Sequence, residues 1–320
     1  LAARDETRMT DRRLAQLDRD HVWDPFTPMR QWSQSDPLII ERGEADASEV
    51  GAALAHCRER LSERAIVIGD LQVGLSALAE GAACDQVVRG EAIAANAPVA
   101  FVFCGNGAQW SGMGRVALDN DPIFRHHFSD ISASIEARAG WSAIDMLVSA
   151  DLPDRLLRTS IAQPLLFALQ AAAADTLRAR GLAPAVVVGH SVGEVAAAYA
   201  AGLYDREQAV RLILARSSAQ EFARGMGKMA VLHVSQEAAQ RFIDQIGTAA
   251  IEIAAINCPA SVTVVGPAGD IASMLRAAAA AGIAGQQLDI DYPFHSRIMD
   301  DARDRIIDDL DGLNARPGGA

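Results

Sequence analysis

The chain has 320 residues, 50% of them hydrophobic, four cysteines and a formal net charge of -12. No apolar run is long enough to span a bilayer, the charged N-terminus LAARDETRMTDRR lacks the apolar stretch of a secretory signal, and the acidic balance disfavours nucleic acid, so a cytoplasmic chain is expected, with one large core or two smaller ones. Cys57, Cys84, Cys104 and Cys258 are scattered and form no CxxC pair, which argues against a disulfide framework or a zinc site and predicts free thiols and no metal.

Residues 1–44 are polar without sustained period, with Trp23 and Trp32 as apolar anchors. From Ala47 to Leu61 apolar residues recur at helical spacing, 64–69 (RAIVIG) reads as a strand and 70–80 as a helix, so 45–96 forms a small αβ module whose last residues, 90–97, are a connector. A new strand, 99–103, opens the main domain and runs into Cys104-Gly105-Asn106-Gly107-Ala108-Gln109. Helices are expected over 121–137 and 161–180, a strand at Ala185-Val186-Val187-Val188, and further helices after Ser191 and over 207–224. Alternating strands and helices of this length imply a parallel sheet covered on both faces. Strands at 229–234, 251–257 and 261–265, with helices at 236–246 and 270–281 between and after them and a last extended stretch at 287–290, then describe a βαββα-like stretch of the size of a compact inserted subdomain.

The most informative segment is Gly189-His190-Ser191-Val192-Gly193-Glu194. A serine between two glycines, after a β-branched strand and before an alanine-rich helix, has the layout of a nucleophile elbow. It presents the hydroxyl at a helix N-terminus, where free backbone N–H groups stabilise negative charge on a substrate oxygen. A serine hydroxyl needs a base. His190 is adjacent, but neighbours at an elbow point apart; His126 and His127 read as surface positions on a helix. His295 follows Pro293-Phe294 in a loop able to fold back over the elbow. The glycines around Asn106 allow its backbone N–H to approach a ligand. Arg216 sits in an otherwise apolar stretch, and an unpartnered buried guanidinium is costly. Either a carboxylate such as Glu194 or Glu221 pairs with it, or it receives a carboxylate ligand.

Six ordered blocks, FCGNGAQWSGMG (103–114), TSIAQPLLFALQ (159–170), GHSVGE, LARS (214–217), AAINCPASVTVVGP (254–267) and YPFHS (292–296), together resemble the acyltransferase domain of modular polyketide synthases and the related malonyl-CoA:acyl-carrier-protein transacylases. The resemblance covers about residues 97–315, with 45–96 similar to the linker that joins a ketosynthase to such a domain. It implies an α/β fold, a large hydrolase-like parallel-sheet domain (97–227 and 292–320) with a small ferredoxin-like subdomain (228–291) inserted. Because the family continues beyond the histidine loop, the large domain is expected to be C-terminally incomplete at Ala320.

By position, the resemblance makes Ser191 the acylated nucleophile and His295 its base, a dyad without an obligatory acid. The backbone N–H groups of Asn106 and Val192 would form the oxyanion hole. Arg216 would hold the free carboxylate of a malonyl-type group, with Gln163 lining the pocket. Val192 after the serine and Phe294 before the histidine look like the malonyl-selective pattern, the bulk of Phe294 excluding a C2 methyl, so malonyl is favoured, while Tyr292-Pro293 departs from both common patterns. Phe294, Leu165 and Val192 would keep water from the ester. No bound cofactor is implied: a coenzyme A thioester is the donor, the phosphopantetheine thiol of an acyl carrier protein the acceptor, and a ketosynthase domain the neighbour. Residues 21–41 also look like the opening of a class III aminotransferase, but the only lysine, Lys228, falls in the inserted subdomain, so no pyridoxal phosphate chemistry is expected. Two rival readings fit the sequence: a serine α/β-hydrolase or thioesterase, which adds an acidic triad member, and a catalytically incomplete scaffold fragment.

Overall fold

The computed structural model describes residues 62–91 and 97–317, and the chain divides into two compact units after Ala97. The readings made for residues 1–61, including the helix at 47–61 and Cys57, lie outside the described residues.

In the first unit, β1 (Glu63–Val67) pairs antiparallel with β2 (Val87–Glu91), and α1 (Leu71–Glu80) crosses between them. Asp70 caps α1 by accepting from the N–H groups of Gln72 and Val73, and Gly81 closes it in the left-handed conformation. The sequence reading of a plain connector from residue 90 is corrected here: VVRGE is short and polar, yet it completes a two-stranded ladder.

The second unit begins with β3 (Ala100–Phe103), which pairs in parallel with β4 (Val186–Gly189). Between them come α2 (Arg115–Asn120), α3 (Pro122–Ala139), α4 (Ala143–Val148), α5 (Leu152–Arg155) and the long α6 (Thr159–Ala179). After β4 follow α7 (Gly193–Ala200) and α8 (Arg206–Gln220) with a 3₁₀ turn at Glu221–Ala223. Helix starts are chemically specified. Asp121 caps α3 with proline next in line, and Asp205 with Gln208 forms a capping box on α8. Phe128, Ile135, Leu165, Phe167 and Ile213 are wholly or almost wholly buried where α3, α6 and α8 meet, each worth roughly 1.5–3 kcal/mol of hydrophobic stabilisation. Among the described residues the parallel sheet comprises two strands, with Phe101 and Phe103 turned into this core and Val102, Val186 and Val188 on the open side.

A four-stranded antiparallel sheet, in spatial order β6 (Glu252–Cys258), β7 (Ser261–Gly266), β5 (Lys228–Leu232), β8 (Gly285–Gln287), forms the inserted subdomain with α9 (Gln236–Ile246) and α10 (Ala268–Ala280). This βαββαβ order is ferredoxin-like. Leu232, Val262, Val264, Ile271 and Met274 make its separate core. The last strand lies slightly earlier than its sequence suggested, at 285–287, and the chain then returns through 291–296 to a short 3₁₀ turn and α11 (Asp300–Asp309). The fold is thus α/β, as expected. Among the described residues no helix is long and apolar enough to cross a membrane, and Cys84, Cys104 and Cys258 are free.

Candidate active site

Parallel pairing of Phe103 with Gly189 brings the loops after β3 and β4 out side by side at the carboxyl ends of the strands, where open α/β sheets bind ligands. The His190 N–H donates to the Phe103 carbonyl at 3.0 Å, which locks the two loops together. Ser191 follows with φ 53°, a left-handed conformation that costs an L-residue energy and is held here by the surrounding turn. The N–H groups of Gly193 and Glu194 donate back to the His190 and Ser191 carbonyls at 2.9 and 3.0 Å.

The structure brings His295 to this elbow from 104 residues away: Ser191 Oγ and His295 Nε2 are 2.9 Å apart. With the imidazole proton on Nδ1, Nε2 accepts the serine proton. Among the described residues no carboxylate hydrogen-bonds to the ring, so the pair stands as a dyad. His295 also has positive φ, 60°, and is stiffened from behind by the buried Tyr292, Phe294 and Ser296, whose hydroxyl donates to the Pro293 carbonyl at 2.7 Å. Although the residue keeps solvent contact, burial of the ring holds its pKa below the ordinary imidazole value. Arg216 and His190 push the same way, and Glu194 opposes them.

Ser191, His295 and Arg216 line one cavity of about 330 Å³, whose remaining wall is Glu194, Val195, Ala198 and Leu212. Arg216 Nη1 donates to Gln163 Oε1 and, at 3.2 Å, to Gln220 Oε1. Gln163, almost wholly buried, is itself fixed by donating to Thr159 Oγ1 and, at 3.0 Å, to Gln220 Oε1. Neither carboxylate weighed as a partner takes the guanidinium. Glu194 is exposed and forms no ion pair with it among the described residues; Glu221 is engaged by the Ser160 N–H at 2.9 Å and the Tyr292 hydroxyl at 3.0 Å. Burial lowers the Arg216 pKa, offset in part by Glu194, yet an arginine remains charged.

Asn106 lies half-buried in the β3 loop, its side chain accepting from Gln109 Nε2 at 3.1 Å, and Val192 is buried as the N-cap of α7. Among the described residues neither backbone N–H is used in a hydrogen bond. Phe294 and Leu165 are placed differently from expectation. Phe294 stacks on Tyr292, with ring centroids 5.1 Å apart, and packs against Met229 and Val265 rather than facing the cavity; Leu165 is inside the helical core. The apolar wall comes instead from Val195 and Ala198, three apart on α7, and from Leu212, four before Arg216 on α8. Those spacings were readable as shared helix faces. The Tyr292 phenol, pushed up to about 12 chiefly by burial and also by Glu221, stays protonated and donates.

The family model for the acyl transferase domain matches residues 100–318. Erythronolide synthase EryA2 of Saccharopolyspora erythraea is 35% identical over 87% of the chain, which spans only 8% of that protein's length. Among solved structures, the acyltransferase domain from module 8 of the salinomycin polyketide synthase superposes with a TM-score of 0.79 at 29% identity, covering 87% of this chain and 66% of that one. The malonyl CoA-acyl carrier protein transacylase of Burkholderia pseudomallei gives 0.59 at 29% identity, over 69% of this chain and 74% of that one. The chain belongs to the acyl transferase domain family and is an acyltransferase domain of the modular polyketide synthase type.

Proposed function

We propose that this domain moves a malonyl-type acyl group from a coenzyme A thioester to the phosphopantetheine thiol of an acyl carrier protein, through an ester on Ser191. The observation that carries this reading is the Arg216 guanidinium: it shares a cavity with Ser191 and His295, is oriented by two neutral amides, and has no protein carboxylate paired with it among the described residues. A dicarboxylic acyl unit supplies the missing anion, and a fork of N–H donors suits it. The malonyl CoA-acyl carrier protein transacylase likeness supports the same donor and acceptor.

In the first half-reaction Ser191 Oγ attacks the thioester carbonyl while His295 Nε2 takes its proton. The Asn106 and Val192 backbone N–H groups receive the charge that develops on the carbonyl oxygen. Collapse expels the coenzyme A sulfur, which leaves with the proton from His295, and the acyl group remains as a serine ester. In the second half-reaction the carrier thiol gives its proton to His295 and attacks that ester; the serine oxygen leaves and regains the proton. Val195, Ala198 and Leu212 shield the ester from water. Phe294 bears on selectivity against a C2 methyl indirectly, by fixing the loop that holds His295. The reading places the domain beside a ketosynthase, with 62–91 as part of the linker, in the cytoplasm where coenzyme A thioesters are available.

Intact mass after mixing with malonyl-, methylmalonyl- and acetyl-CoA tests this. The expected result is a single malonyl adduct that disappears in Ser191→Ala, with little acetyl adduct. Equal acetyl and malonyl loading, or no adduct on folded protein, overturns the reading. Rapid hydrolysis of a neutral ester that survives Arg216→Ala points instead to a hydrolase.

A further inference from the structure

The cap that α6 lacks in its own sequence is supplied from two distant parts of the chain. Its N-cap residue, Arg158, makes no side-chain capping bond. Instead the Thr159 N–H donates to the Tyr292 hydroxyl at 3.1 Å, and the Ser160 N–H donates to Glu221 Oε2 at 2.9 Å. The two caps are tied to each other, because the Tyr292 hydroxyl donates to Glu221 Oε1 at 3.0 Å. A carboxylate at a helix N-terminus is favoured by the local dipole, and a charge-assisted bond to a buried phenol is a strong one. Tyr292 is only 3% exposed and Glu221 half-buried, so the Thr159–Tyr292 bond is shielded from competition by water.

The clamp touches both halves of the site. On one side Thr159 Oγ1 accepts from Gln163, the residue that orients Arg216, and Glu221 directly follows Gln220, the second acceptor of Arg216. On the other side the Tyr292 ring stacks at 14° on Phe294, the residue immediately before His295. His295 sits at positive φ, a conformation that persists only where its surroundings enforce it. We propose that the Tyr292 hydroxyl and the Glu221 carboxylate are positioning residues that hold the His295 imidazole in register with Ser191 and tie it to the arginine grip. Neither touches the reacting atoms. Their effect is on the distance and angle between base and nucleophile, in a dyad with no acidic residue bonded to its imidazole among the described residues.

The role rests on the proposed serine chemistry but is tested separately from the choice of acyl group. Tyr292→Phe keeps the ring and its stacking and removes only the hydroxyl; Glu221→Ala removes the other half, and Glu221→Gln keeps an acceptor for Ser160. In the full chain, with folding checked by thermal melting, two rates are measured: malonyl transfer, resolved into kcat and KM, and modification of Ser191 by a fluorophosphonate probe, which needs the dyad but not Arg216. Tyr292→Phe and Glu221→Ala are expected to lower kcat about 10- to 100-fold with KM changed less than about threefold. Probe modification should slow in parallel, Glu221→Gln should recover much of the loss, and the double variant should be no worse than the poorer single one. Wild-type kcat and probe rate in Tyr292→Phe, or losses that multiply in the double variant, overturn the clamp. If wild-type protein reacts with the probe but never takes up malonyl, the functional reading fails while the probe arm still decides the clamp.

Discussion

On the proposed reading, Arg216 is the side chain that separates a transferase of charged acyl groups from a general serine esterase. Its hydrogen bonds to Gln163 and Gln220 orient the guanidinium without neutralising it. Replacing it by leucine removes the grip while keeping apolar volume beside Leu212. Charge-assisted hydrogen bonds contribute roughly 1.5–3 kcal/mol each, so two lost contacts are expected to lower the preference for malonyl- over acetyl-CoA by about a hundredfold or more. Competitive loading followed by mass spectrometry checks this, and an unchanged ratio removes the guanidinium from recognition. The same charge acts on His295. The neutral imidazole is the base, so acylation falls as pH drops through its pKa, which lies below the ordinary value because of burial, Arg216 and His190, with Glu194 opposing. Removing the guanidinium relieves repulsion of the imidazolium and should move the inflection of kcat/KM to higher pH. A malonyl carboxylate seated on Arg216 should act alike, placing the kcat inflection above that of kcat/KM in the wild type. A pH–rate series on both proteins decides the matter; an inflection that stays put or falls contradicts the coupling. Ser191 itself carries backbone strain at φ 53°. Ser191→Gly should abolish acylation and raise stability by about 1 kcal/mol in urea unfolding, whereas an elbow without strain would be weakened by the added chain freedom.

At the scale of the element, the strand–turn–helix is built on close approach of backbones. A Cβ added at Gly193 would lie 2.3 Å from the Phe103 carbonyl oxygen, and one at Gly189 2.4 Å from the Glu194 Cα; in both cases the obstructing atoms are main chain and cannot swing aside. Gly193→Ala should therefore separate α7 from the end of β3. A loss of about 3 kcal/mol or more is expected, at or beyond the upper end of ordinary overpacking, with loss of acylation in the fraction that still folds. A near-neutral Gly193→Ala melt would mean that the turn is looser than described. This element was legible in the sequence because its requirements are local: glycine spacing, a β-branched run and an alanine-rich helix all lie within adjacent residues. The βαββα-like order of the inserted subdomain was legible for the same reason, through strong periodicity, while its short last strand lies slightly earlier than read. Helix α11, DDARDRIIDD, was missed because only Ala302 is buried and no apolar face announces it. Helices α2, α4 and α5 have six residues or fewer, too few for a period to be seen. Within the candidate site, Ser191, His295 and Arg216 were singled out from residue chemistry and motif, and the structure places all three around one cavity. The Gln163–Arg216 and Tyr292–Glu221 pairs span 53 and 71 residues, and no spacing rule connects side chains so far apart. Phe294, read as a pocket wall because it stands beside a catalytic-type histidine, joins an apolar cluster with Met229 and Val265, residues too distant in sequence for any local pattern to announce the contact.

Across the 98–317 unit, burial is concentrated among the helices and in the inserted sheet. Phe103 is 5% exposed against the core made by α3, α6 and α8, whereas Val102, Val186 and Val188, on the opposite face of the same two strands, are 74, 56 and 50% exposed. Parallel strands are ordinarily buried on both faces. The two faces of this pair should therefore respond very differently to substitution. Val188→Thr, which keeps the β-branch and shape, is expected to change stability by no more than about 0.5 kcal/mol, as at an ordinary exposed site. Phe103→Ala should cost about 3–5 kcal/mol, since it opens a cavity beneath the elbow as well as losing transfer energy. Urea unfolding of both variants gives the comparison directly. A loss above about 1 kcal/mol for Val188→Thr would show that the valine face is covered in solution, because a hydroxyl is penalised only where water is excluded from it.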